Sequence, residues 1–170
     1  FEVINNGIDT KKFEFDIVAR NRIRSIMGWD NKKVIVHVGN FLEAKNHVFV
    51  IGIFKEIYKN NKNFRLLLLG DGKLKVEVEN IVKKYKLDEV VCFAGSVSNV
   101  SDYLNGSDIV LMPSINEGLP LTLIEEQATG LKCIVSKNIT TEVNITGNVD
   151  FISLNDSVRT WSENVIRRCN

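Results

Sequence analysis

Short apolar runs alternate along the chain with amphipathic stretches, and glycine-bearing loops follow the runs. Together these observations predict an α/β fold, a doubly wound parallel sheet of Rossmann-like type. Val34 to Val38 reads as a buried strand, and Asn46 to Tyr58 as a helix with Val50, Ile53, Phe54 and Ile57 on one face. Phe64 to Leu69 is the next strand, Leu74 to Tyr85 the next helix, Val90 to Phe93 a strand, Val100 to Leu104 a short helix and Ile109 to Met112 a strand. A helix beginning with Pro120 follows, because the missing proline N–H would be unpaired at a first helical position anyway. Leu121, Ile124, Ala128 and Leu131 recur there at steps of three and four and predict its buried stripe; this sets Glu125 on the edge of the stripe and turns Glu126 toward water. Lys132 to Val135, Phe151 to Leu154 and a last helix from Ser157 to Arg168 complete the pattern. Strands separated by helices of this length need right-handed crossovers, so the sheet is expected to be parallel with helices on both faces.

Length and charge narrow the function. With 170 residues and 44% apolar content the chain can bury one sizeable core, so residues 1–170 are expected to form one domain. Twenty-two basic residues against 21 acidic ones leave a net charge of +1, which provides no global field for nucleic acid or an anionic membrane. No apolar run approaches the roughly 20 residues that span a bilayer, and the start lacks the basic and apolar regions of a signal peptide. A reducing, cytoplasmic setting is the default expectation. Cys92 and Cys133 lie in apolar runs as buried thiols do, Cys169 is near the end, and the odd count without paired spacing argues against a disulfide framework or a zinc site.

Ligands of doubly wound sheets bind beyond the carboxyl ends of the strands. The loops Gly39 to Lys45, Gly70 to Lys73, Gly95 to Asn99 and Ser114 to Leu119 all follow strands and should crowd onto one edge. The last of them leads Glu117 into the helix that carries Glu125. Its turn should expose free N–H groups at Leu121 to Leu123 and the positive helix end, which favour phosphate, while Gly118 allows close backbone approach. Taken alone, Glu117 reads more readily as a loop acid and Glu125 as a solvated first-turn acid. Lys45 is expected to begin a helix, where a cation opposes the dipole unless an anion lies nearby; a diphosphate or simple solvation resolves that conflict. Neither the dinucleotide fingerprint nor the phosphate loop of nucleotide hydrolases occurs. His37 falls inside a strand and reads as a core histidine, and His47 as a neutral imidazole or a surface residue. Two histidines without an acidic cluster do not make a metal site.

The stretch Pro113-Ser-Ile-Asn-Glu117-Gly-Leu-Pro120-Leu-Thr-Leu-Ile-Glu125, continued by Ala128 and Gly130, resembles the signature of retaining glycosyltransferases of the GT-B fold, the glycosyl transferases group 1 family. Ile4-Asn-Asn-Gly-Ile-Asp9 with Phe13 is similar to the connection between the two domains of those enzymes. Val38-Gly-Asn-Phe with Lys45-Asn-His resembles their phosphate-binding loop, and Leu69-Gly-Asp-Gly72 and Phe93-Ala-Gly95 match the strand ends that follow. The resemblance runs from about residue 4 to about residue 145. It implies one half of a GT-B architecture, with residues 1–13 as interdomain connection and an amino-terminal acceptor domain preceding Phe1.

The roles implied by the resemblance are these. Glu117 faces the donor sugar at the reaction centre; the backbone of Gly118 and Leu119 holds sugar and phosphate; Leu121 and Thr122 open the helix onto the phosphates. Glu125 accepts from the ribose hydroxyls, Gly39, Asn40 and Lys45 meet the diphosphate, and Ser96 and Val97 frame the base. The donor is a nucleoside diphosphate sugar, UDP type, with no separate cofactor and no metal. The acceptor is a glycan or lipid-linked glycan in capsule or exopolysaccharide synthesis, with peripheral association of the full-length enzyme at the inner membrane face. Asn40 departs from the family's usual arginine and brings no charge, and the Gly-Gly and Pro-Glu common near Ile139 to Glu142 are missing. The isolated half is expected to bind donor weakly and transfer nothing. A nucleotide-sugar epimerase of the same fold and a non-enzymatic nucleotide-binding half-domain are the alternative readings.

Overall fold

In the computed structural model, which describes residues 7–169, six parallel strands form one sheet in the order β3-β2-β1-β4-β5-β6. The strands are β1 Lys33–Val38, β2 Phe64–Leu69, β3 Val91–Gly95, β4 Ile109–Met112, β5 Lys132–Ser136 and β6 Val149–Ile152. The chain winds outward from β1 through β2 to β3, then returns to place β4 on the other side of β1. The β1/β4 boundary is therefore the topological switch point, where loops diverge and leave a crevice. Of the segment joining the proposed domains, Ile4 to Asn6 lie outside the described residues.

Helices α2 (His47–Asn60), α3 (Lys75–Lys84) and α6 (Val158–Cys169) cover one face, and α1 (Ile17–Met27), α4 (Val100–Asn105) and α5 (Leu121–Ala128) the other. The alternation of strand side chains sorts the core accordingly. In β1, Ile35 packs under α2 among Phe54, Leu66 and Trp161, while Val34, Val36 and Val38 pack on the opposite layer with Leu67, Val110 and Cys133. His37 follows the phase of Ile35 and so points toward the α2 face.

Helix α1 has no counterpart among the elements expected from apolar periodicity. It is set by its ends and its ion pairs: the Asp16 carboxylate accepts from Val18 and Ala19 N–H at 2.7 and 3.2 Å, and Gly28 closes it in the left-handed region. Its Arg20 and Arg24 both reach Asp108, at 2.6 and 3.2 Å, and Asp108 also accepts from the Val34 N–H at 2.7 Å. One carboxylate thus ties α1 to the starts of β1 and β4.

Two expectations about α5 are corrected. Pro120 is the extended residue before the helix, not its first turn, and the buried face holds Leu123, Glu126 and Gln127, whereas Leu121, Ile124 and Ala128 are only partly covered. Gln127 explains the rotation: its amide donates to the Leu123 and Val143 carbonyls at 3.0 and 2.7 Å and accepts from the Thr146 hydroxyl at 2.9 Å, so it pins the loop before β6. Strand β6 starts and ends two residues earlier than the Phe151 to Leu154 expected, because its pairing with β5 runs from Cys133 opposite Val149 to Ser136 opposite Ile152.

The loops after β1, β2 and β3 are stitched backbone to backbone. Gly39 N–H donates to the Leu69 carbonyl at 2.9 Å, Gly70 N–H to the Gly95 carbonyl at 2.8 Å, and Phe41 N–H to the Asp71 carbonyl at 2.9 Å. Gly70 (φ +134°) is required by this approach, since a Cβ there would lie 2.2 Å from the Gly39 carbonyl oxygen. Gly70→Ala is expected to lower unfolding free energy by about 2–4 kcal/mol. Urea denaturation would measure it, and a change below about 0.5 kcal/mol would show that these loops yield.

Candidate functional site

At the carboxyl ends of the central strands a cleft of about 320 Å³ opens between the loops after β1, β2 and β3 and the first turn of α5. Gly39, Asn40, Lys45, Ser96, Val97 and Thr122 line it, so six of the expected site residues meet in one place. Glu117 joins them through Lys45. Gly118, Leu119, Leu121 and Glu125 do not line the cleft: Gly118 and Leu119 stand exposed on the loop before α5, and Leu121 and Glu125 lie half-covered on its first turns.

The cleft centres on the Lys45 ammonium. Lys45 ends a single 3-10 turn (Glu43–Lys45) and precedes Asn46, whose left-handed backbone (φ 57°) redirects the chain into α2; it does not begin the helix. Its aliphatic stem crosses Gly39, where a Cβ would sit 2.8 Å from the Lys45 Cδ, so the glycine is demanded by the lysine lying flat. Its Nζ stands 2.6 Å from Glu117 Oε1, with both side chains largely covered. The contact is a short, partly buried ion pair. Glu117 thereby supplies the counter-ion for a cation at a helix start. Two links fix the alignment: the Ile115 N–H donates to the Ala44 carbonyl at 2.8 Å, and the Asn46 amide donates to the Pro113 carbonyl at 3.1 Å. Among the described residues lining the cleft Lys45 alone is charged.

Beneath Lys45 lies a set of buried polar groups. His37 is fully buried, its Nδ1 meets the Leu111 carbonyl at 2.8 Å and its Nε2 has no partner. His47 is 3% exposed, stacks on Phe41 with ring centroids 4.0 Å apart, and meets His37 edge-on at 4.6 Å. The surface alternative for His47 is thus corrected: at the start of α2 it seals the layer between helix and sheet. Burial first, and then neighbouring positive charge, holds both rings neutral, pushing His37 down to about 3 and His47 down to about 4. The Gly39 carbonyl favours the protonated form of His47, yet neither ring nitrogen makes a hydrogen bond of good geometry.

Glu126 is a second correction. Far from pointing to water, it is fully buried with both carboxylate oxygens unpartnered, and burial drives its pKa well above the usual carboxylate value, with the Lys45 charge opposing and Glu125 adding to the shift. Glu125, half-covered, is raised by burial too, and the Lys12 ammonium acts against it. The helix start is narrower than expected, because the Leu123 N–H already donates to the Pro120 carbonyl at 3.0 Å; among the described residues Leu121 and Thr122 keep theirs open. His37 is the core histidine expected and His47 the neutral imidazole, whereas the contact between them, Asn46 and the burial of Glu126 escaped sequence reasoning: the signals were the Lys-Asn-His triplet and a second acid beside Glu125, but only tertiary packing gives them a role.

Fold and cleft define a Rossmann-like α/β unit with a cation and an acid facing each other at the switch point of a parallel sheet. Residues 19–167 match the family model of glycosyl transferases group 1, and the chain belongs to that family. It is 34% identical over 97% of its length to a Bacillus subtilis (strain 168) protein named as a glycosyltransferase, EpsF, and 33% identical over 86% of its length to the Escherichia coli UDP-Gal:alpha-D-GlcNAc-diphosphoundecaprenol alpha-1,3-galactosyltransferase. These matches span 44% and 37% of the two relatives, so the chain covers less than half of either. The fold matches crystal structures of Anabaena HepE with UDP and glucose (TM-score 0.86, 18% identity, 99% of this chain and 46% of that one) and of the C-terminal domain of the group 1 glycosyl transferase LpcC from Francisella tularensis (0.81, 21%, 95% and 87%).

The histidines make a pH prediction. An unfolded histidine takes up a proton near pH 6.5, while His37 and His47 in the folded chain refuse it until about 3 and about 4, so stability falls as pH drops through that window. Each ring contributes up to about 1.4 kcal/mol per pH unit. His47→Phe keeps the ring shape and removes one share, so its urea-derived stability should fall less steeply between pH 6.5 and 4. Equal slopes would show that His47 is not held neutral.

Proposed function

We propose that this chain is the donor-binding half of a retaining glycosyltransferase, which passes a sugar from a nucleoside diphosphate sugar, UDP type, to a glycan or lipid-linked acceptor in bacterial polysaccharide assembly. The observation that carries it is the Lys45–Glu117 pair, 2.6 Å apart beside the cleft and the open N–H groups of α5. A diphosphate placed over Thr122 gains Lys45 as its counter-charge, and a sugar beyond it meets Glu117. The base rests against the Ser96 and Val97 backbone, and Glu125 takes the ribose hydroxyls. In the transfer the bond between sugar C1 and the β-phosphate oxygen breaks, the acceptor oxygen bonds C1, and the acceptor's proton leaves with the diphosphate. Lys45 and the helix end offset the charge that develops on that leaving group. The donor is a substrate, and the reading assigns no separate cofactor or metal.

Several findings support this reading. The E. coli relative's name specifies a UDP-linked donor and a diphosphoundecaprenol-linked acceptor, and the HepE fold-mate was crystallised with UDP. The LpcC structure is a C-terminal domain taken by itself, which fits a carboxyl-terminal half whose acceptor domain lies elsewhere in the enzyme. Among the described residues no helix is long and apolar enough to cross a membrane. The reading puts the full-length enzyme in the cytoplasm, in peripheral contact with the inner membrane face, because the E. coli relative's acceptor is diphosphoundecaprenol-linked. The isolated half binds donor and transfers nothing. Asn40 leaves Lys45 as the single charge lining the cleft among the described residues, which favours modest affinity.

Lys45 serves Glu117 in the empty pair and the diphosphate in the complex, so the two compete for it. Calorimetry with UDP and GDP should show UDP binding that weakens about 10- to 100-fold in Lys45→Ala and about tenfold in Glu125→Ala. Glu117→Gln should bind UDP as tightly as the parent chain or more tightly, since the ammonium is released. Absence of binding to every nucleotide would overturn the donor site.

A further inference from the structure

Glu126 is the buried acid that the proposed function leaves unused. On α5 it stands four residues after Thr122, which lines the cleft, so the two side chains share one face of the helix, and a helical side chain leans toward the amino-terminal end. Its carboxyl group is thereby carried beneath the cleft, toward the helix end where the reading places the diphosphate. It is fully buried, and neither oxygen has a hydrogen-bond partner. A carboxylate in such a place is strongly disfavoured, whereas a neutral carboxyl is tolerated.

The charges around Glu126 leave that preference standing. The Lys45 ammonium favours the carboxylate, and Glu125 at the next position opposes it. From β5 the buried Cys133 thiol faces it, held neutral by burial and by the Glu126 charge, while Lys132 of the same strand is exposed. From the turn Thr10–Phe13, packed on α5 through Phe13 and Leu123, Lys12 acts on Glu125 and Lys11 is exposed. Lys45 is therefore the cation that acts on Glu126 among the described residues, and it is also the cation a diphosphate would use. A diphosphate over Thr122 draws on Lys45 and adds negative charge above Glu126, and both changes favour the protonated acid. We infer that Glu126 is a positioning residue for the donor diphosphate, acting through Lys45: as a neutral acid it leaves the ammonium to the phosphates, as a carboxylate it competes with them, and donor binding takes a proton from solvent onto Glu126. The inference rests on the donor-half reading. Its sign is fixed: affinity is greatest where Glu126 is neutral in the free chain and falls by up to about tenfold per pH unit as pH rises through the pKa of that free acid.

The test is calorimetry of UDP binding to this chain in two buffers of different ionisation enthalpy, which counts the protons exchanged. At about pH 8 the nucleotide's phosphates have already lost their protons. His37 and His47, neutral down to about 3 and about 4, stand too far from that pH to take one up. Proton uptake on binding is expected in the parent chain and not in Glu126→Gln, whose amide imitates the neutral acid. Between about pH 7 and pH 9 the parent's UDP affinity should fall about five- to tenfold or more, while that of Glu126→Gln stays flat within about twofold; the ligand's own ionisation is common to both. UDP binding without proton uptake at any pH in that range would overturn the role of Glu126 and leave the donor reading intact, as would equal uptake and equal slope in Glu126→Gln. The proton count on the parent decides the matter even where the variant does not fold. Absence of UDP binding would overturn the donor reading and this inference with it.

Discussion

One ammonium group organises the carboxyl edge of this sheet. Lys45 is held flat by Gly39, faces Glu117 at 2.6 Å, and carries its charge above two neutral histidines and a buried acid. The low polarity beneath it matters as much as the partner beside it. A protonated histidine under Lys45 would place like charges in a medium that screens them poorly, and burial keeps both rings neutral. Glu126 lies near enough for the Lys45 charge to oppose the rise that burial imposes on its pKa.

That arrangement needs loops that do not drift. The backbone bonds joining Gly39 to Leu69, Gly70 to Gly95 and Phe41 to Asp71 convert three separate strand ends into one rim, and Asn46 and Ile115 fasten it to the loop after β4. Gly118 behaves differently. A Cβ there would meet nothing within 4 Å, so the fold does not require glycine at that position, in contrast to Gly70. A requirement for glycine at 118 would have to come from whatever approaches the loop from outside, consistent with backbone contact to a ligand.

The sheet was legible because parallel strands buried on both faces are continuous apolar runs, as in Ile109–Met112, and such runs need no tertiary information to be recognised. The gathering of the four loops followed from topology alone. What failed was the phase of α5, where the spacing of Leu121, Ile124 and Ala128 suggested one face and packing chose another. The deciding groups there are polar: Gln127 is buried because Val143 and Thr146, far along the chain, satisfy it. Periodicity weighs apolar residues and cannot anticipate a partner that tertiary structure brings. Helix α1 escaped for a related reason, since its Arg20 and Arg24 are anchored by Asp108 instead of by an apolar stripe.

The neutral residue at position 40 gives the cleft its character. A site with two cations can hold a diphosphate while one of them still neutralises an acid; a site with one must choose. In this chain the choice falls on Lys45, because among the described residues it is the only charge lining the cleft and it is already committed to Glu117. If a donor's diphosphate draws the ammonium away, Glu117 loses its counter-ion at the moment a sugar arrives to offer hydroxyl donors in its place. Occupation of the phosphate position and exposure of the acid then become a single event.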